Sequence, residues 1–83
     1  MDKTLGYLRE ILSNYTEEYS EAQHLYRKLT DENFTSEGSF VRQLNQEEMN
    51  FLNKLLPNEI QHAKEAEDHT RAYQLNEVYE LIF

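Results

Sequence analysis

Residues 5–29, LGYLREILSNYTEEYSEAQHLYRKL, decide the fold class. Leu5, Leu8, Leu12, Tyr15, Tyr19, Ala22, Tyr26 and Leu29 fall at spacings that alternate between three and four, and every position of the seam is apolar or aromatic. In a chain that is 39% hydrophobic, filling eight such positions by chance has odds of roughly 0.05% in one frame, so the pattern is a helical stripe. The register passes unshifted through Ser13 and Asn14, both poor helix-interior residues, and on that ground one helix is predicted over about residues 4–30. Ile11 and Leu25 each precede a seam position and widen the stripe to the breadth of a helix packed in a globular bundle.

Outward from this stretch, Asp31 to Ser39 holds Asn, Thr, Ser and Gly38 and reads as a hinge over 31–39, interrupted only by Phe34. Phe40, Val41 and Leu44 share one face of a short helix over about 40–44. Asn45 with Glu48 three residues on makes a capping box, and Leu44 and Met49 flank it as a hydrophobic staple, so a helix starts at Gln46. Met49, Leu52, Leu56, Ile60 and Ala63 continue its stripe, with Pro57 predicted to kink the helix without ending it. Between Gln61 and Gln74 apolar residues are sparse, and packing resumes at Leu75, Val78, Tyr79 and Ile82. If one long kinked helix spans about 46–81, the second stripe is rotated from the first, and Ala63 and Ala72 point to opposite sides.

With two glycines and one proline in 83 residues, the sum is an all-α domain spanning 1–83: a helical hairpin or small bundle of two long helices with a short connecting helix. So small a domain buries only about 60–65% of the surface of its unfolded chain, which makes a second copy or a protein partner an expectation. The candidate interface comprises Leu5, Leu8, Leu12, Tyr15, Tyr19, Tyr26, Leu75, Tyr79 and Ile82. The terminal Leu81-Ile82-Phe83 is apolar enough to call for a cover of its own.

Sixteen acidic against eight basic side chains give a formal charge of -8, which repels phosphate backbones and anionic lipid alike. Direct nucleic-acid and membrane binding are therefore not expected. The absence of cysteine excludes disulfides, thiolate metal sites and cysteine nucleophiles. Without a long apolar run at the amino terminus or elsewhere, a cytoplasmic location is the expectation.

Two Glu-x-x-His pairs, Glu21 with His24 and Glu59 with His62, have the spacing that di-iron bundles use, and a metal-binding bundle is the alternative to an interaction protein. Against it, Glu21 and His24 stand at outward positions of the seam, where exposed polar residues are the simpler reading. His62, Glu65 and His69 fall at i, i+3 and i+7 and invite the same comparison. Acidic runs such as Glu17-Glu18 and Glu47-Glu48 read as solvated helix faces. No nucleophile elbow, phosphate loop or zinc-protease motif is present, so no cofactor, metal or catalytic residue is assigned and no enzymatic activity is expected.

The stretches Thr4-Leu5-Gly6-Tyr7-Leu8-Arg9-Glu10, Glu48-Met49-Asn50-Phe51-Leu52-Asn53 and Leu75-Asn76-Glu77-Val78-Tyr79-Glu80-Leu81 resemble the CsgA family, forespore-expressed, sigma-G-dependent small acid-soluble spore proteins of Bacillus species. The segment from Thr16 to Gly38 is the least similar. The resemblance implies a small protein made late in sporulation, located in the forespore or spore core. It carries no functional residues over. The DNA-coating spore proteins that share the name are richer in glycine and far less acidic, and this chain lacks the basic stripe that phosphate contact needs.

Overall fold

In the computed structural model, which describes residues 2–82, five helices enclose one core. They are α1 (Lys3–Ser13), α2 (Ser20–Asp31), α3 (Glu37–Val41), α4 (Gln46–Glu65) and α5 (His69–Ile82). The fold is all-α and a small bundle, with more and shorter helices than two long ones and a connector.

The helix predicted over 4–30 is two helices. Its turn uses the very residues that are poor in helix interiors: the Ser13 hydroxyl donates to the Glu10 carbonyl at 2.6 Å, and the Thr16 hydroxyl to that of Ser13 at 3.3 Å. The amides of Asn14 and Tyr15 tighten onto Ile11 and Leu12 three residues back. Side chains that supply local partners to the backbone make a break inexpensive there. α2 then folds back on α1. The unshifted seam misled because Leu5, Leu8 and Leu12 on α1, and Ala22 and Leu29 on α2, face the same core from two helices and are buried from both.

The long helix predicted over 46–81 is likewise divided, at 66–68; it continues through Pro57, as read from the sequence. Ala66 caps α4, Glu67 takes a left-handed φ of 60°, and the amides of Asp68 and Glu67 bond the carbonyls of Ala63 and Lys64 at 2.8 and 3.0 Å. These two bonds make a Schellman closure. The Asp68 carboxylate then accepts from the Arg71 amide at 3.2 Å and starts α5. α5 turns back onto α4 and also touches α1 and α3. Ala63 and Ala72 do not point to opposite sides; both are buried in the shared core.

The remaining boundaries differ by a few residues. α3 begins at Glu37, earlier than the helix predicted from 40, because Ser36 and Ser39 form a reciprocal capping box. The hinge is correspondingly shorter, since α2 runs to Asp31. Phe34 pins the hinge by packing its ring edge-on to the buried Phe40, with centroids 5.4 Å apart. The capping box at Asn45 and Glu48 and the start at Gln46 are as read from the sequence.

Candidate functional site

A cluster of three aromatic rings lies where the α1–α2 turn meets α4. Tyr15 and Tyr19 come from the turn and Phe51 from α4; the ring centroids of Tyr15 and Tyr19 are 6.2 Å apart, those of Tyr19 and Phe51 5.4 Å. They floor an open groove of about 450 Å³, rimmed by Glu21 from the first turn of α2 and by Glu47 and Lys54 from α4. Tyr19 is 44% exposed; Tyr73 on α5, away from the groove, is more exposed still, at 69%.

One side of the floor is fixed. The Tyr15 hydroxyl donates to Glu59 Oε1 at 2.7 Å, tying the turn to α4. That bond to a carboxylate, followed by partial burial and the negative charges of Glu59 and Glu18, holds the phenol neutral and pushes its pKa up to about 12. The Tyr15 hydroxyl is thus already engaged within the chain.

A second aromatic feature joins α1 to α5. The Arg71 guanidinium stands 4.9 Å from the ring centroid of Tyr7, with Glu10 Oε2 at 3.8 Å and Asp68 Oδ2 at 3.6 Å. Here the chain holds one of its own cations between an aromatic face and two carboxylates.

The candidate interface residues divide by depth. Leu5, Leu8, Leu12, Leu75 and Ile82 are buried within the single chain and belong to its core. Tyr15, Tyr26 and Tyr79 are partly buried and pack against that core. Tyr19 alone of the nine is exposed. At the carboxy end Leu81 is 52% exposed while Ile82 is buried, and Phe83 lies outside the described residues.

The two Glu-x-x-His pairs do not build a metal site. Glu59 is engaged by Tyr15, His24 and His62 are exposed, and no three His, Asp or Glu side chains converge among the described residues. His69 is carried onto α5 by the break at 66–68, so His62, Glu65 and His69 do not share a helix face.

Phe51 and Lys54 were not singled out from the sequence. A signal was present: Phe51 and Leu52 are adjacent apolar residues, and neighbours on a helix stand 100° apart, so one of the two faces the core less squarely. The structure buries Leu52 fully and leaves Phe51 half-buried on the floor of the groove.

Fold and surface define a small acidic helical protein with a single core, an aromatic groove and no long apolar helix. No helix among the described residues is long and apolar enough to cross a membrane. The chain belongs to the CsgA family, described as "Minor curli fiber component A", which it matches over residues 1–83. It is 46% identical over 82 residues, covering 99% of both chains, to the "Sigma-G-dependent sporulation-specific SASP protein" of Bacillus subtilis (strain 168). No solved structure matches it.

Proposed function

We propose that this protein is a sporulation-associated small acidic factor of the forespore that works by binding another protein and not by catalysis. The observation that carries the reading is the 46% identity, end to end, to a relative named as sporulation-specific and sigma-G-dependent. Identity at that level along 99% of both sequences supports a shared fold, and the context in the relative's name is what guides the reading of this chain. The family description speaks of a fibre component instead. A fibre grown by adding strands needs extended backbone edges, and among the described residues there is none, which favours the relative's name.

The binding part of the reading is supported by the distribution of apolar surface. The heptad leucines are spent on the chain's own core, whereas Tyr19 and the half-buried Phe51 leave aromatic surface open beside acidic residues. Aromatic rings at a groove are the commonest anchors of protein contacts. The charge of -8 turns that surface toward basic partners and away from phosphate.

The test is a time course of the tagged chromosomal copy in sporulating cells, by immunoblot and fluorescence microscopy. The protein is expected only in the developing spore. Equal amounts in vegetative cells would overturn the reading.

A further inference from the structure

We propose that the Tyr15–Tyr19–Phe51 groove is a receptor for an arginine side chain presented by a basic segment of a partner protein. The inference rests on the binding reading above, and it deepens that reading by naming the partner's chemistry.

Three observations converge. Tyr19 and Phe51 present tilted rings 5.4 Å apart at an open groove, and a planar guanidinium stacks on such faces better than a compact ammonium does. Glu21 and Glu47 line the groove, one from each of two helices, against the single basic residue Lys54, with the Glu21 carboxylate accepting from the Ser20 hydroxyl at 3.2 Å. With two carboxylate residues against one lysine, the net charge of the residues lining the groove is negative.

The third observation is internal. On another part of its surface the chain already binds a guanidinium in this way: Arg71 over Tyr7, between Glu10 and Asp68. The groove repeats the chemistry, aromatic face plus two carboxylates, and among the described residues no arginine of the chain lines it. An arginine from outside completes the arrangement, its aliphatic stem on Phe51 and its charge toward Glu21 and Glu47.

The test uses the full chain, ¹⁵N-labelled, at low ionic strength, titrated with a short peptide of alternating arginine and alanine. Amide shifts are expected to concentrate at Tyr15, Tyr19, Phe51 and their neighbours. Tyr19→Ala should weaken binding roughly three- to fivefold, and Tyr19→Phe should restore it, because the ring and not the hydroxyl makes the contact. Tyr19 is exposed, so both variants keep the fold, which far-UV circular dichroism checks. Glu21→Gln with Glu47→Gln should weaken binding more than Glu37→Gln with Glu77→Gln, an equal charge change beside a different depression that those two residues line.

Equal weakening by the two pairs, or equal binding of a peptide with citrulline in place of arginine, would reduce the effect to net charge or to non-ionic contact and overturn the proposal. A dimer by light scattering that Tyr19→Ala abolishes would assign the groove to a second copy and also overturn it. None of these outcomes bears on when the protein is made, so the sporulation reading stands or falls separately.

Discussion

Replacing Glu48 by alanine should cost about 2–3 kcal/mol, a figure assembled from two contacts of one carboxylate. The side chain is only 2% exposed, and its Oε1 accepts from the Asn45 amide at 3.0 Å and from Lys28 Nζ at 2.7 Å. Losing the first breaks the capping box of α4, worth about 1 kcal/mol. Losing the second strands an ammonium whose side chain is 27% exposed. Breaking a fully buried pair costs about 3–5 kcal/mol, but Lys28 retains some water and the Gln43 carbonyl at 2.7 Å, which lowers this contribution to about 1–2 kcal/mol. For a domain of this size the sum lowers Tm by roughly 10–20 °C. Glu48→Gln keeps an acceptor for the Asn45 amide and gives up only the charge, so it should lose about half as much. The assay is urea unfolding followed by circular dichroism, with Lys28→Met and the double variant completing a cycle. A loss under about 0.5 kcal/mol for the alanine variant, or no advantage of glutamine over alanine, would refute this account of how α2 is pinned to α4.

Other expectations follow from single positions. Glu67→Gly should raise stability by about 0.5–1 kcal/mol in the same unfolding assay, because Glu67 holds a φ of 60° that glycine adopts without strain; a loss would mean that its side chain contributes more than its backbone costs. Pro57→Ala restores an amide to the interior of α4 next to solvent and should stabilise by about 1–3 kcal/mol; a destabilised variant would show that the proline shape is needed for packing. Tyr15 is neutral in the fold up to about pH 12 against an ordinary value of 10.0. Its raised pKa therefore contributes stability that is complete below pH 10.0 and is lost as pH climbs toward about 12. Tyr15→Phe should remove a step near pH 12 from the tyrosinate absorbance titration and flatten the fall of stability across that window. Tyr19→Glu, placed at the exposed centre of the groove, should leave the helices intact by circular dichroism, and a large loss of helicity would show that this ring belongs to the core.

The legible parts of this chain are those whose signals are complete within a few residues. The capping box at Asn45 and Glu48 was readable because both partners and their spacing are local, and the structure has them bonded reciprocally. The break at 66–68 was not, since its left-handed residue is a glutamate where glycine is usual, and only Asp68 ahead of Arg71 and the sparse apolar content hinted at a new start. At residues 14–19 the sequence did carry the warning, in Ser13, Asn14 and Thr16, but the uninterrupted seam outweighed it. Of the groove, Tyr15 and Tyr19 were in view from the seam, whereas Phe51 and Lys54 came together with them only by folding.

The sequence by itself determined the all-helical class, the identity of most of the core and the sign of the surface charge, because each depends on residue type and short-range periodicity alone. Tertiary structure decided where the long apolar stripes are cut and which rings remain outside. A spacing of three and four is satisfied equally by one long helix or by two that fold back on a common core, and only burial against α4 and α5 selects between them. Folding back hides Leu5, Leu8, Leu12 and Leu75 inside one chain and leaves Tyr19 at the surface. The free energy of closing that core, set by which helices can reach one another, thereby moves the exposed part of the candidate interface from the leucines to the aromatic groove.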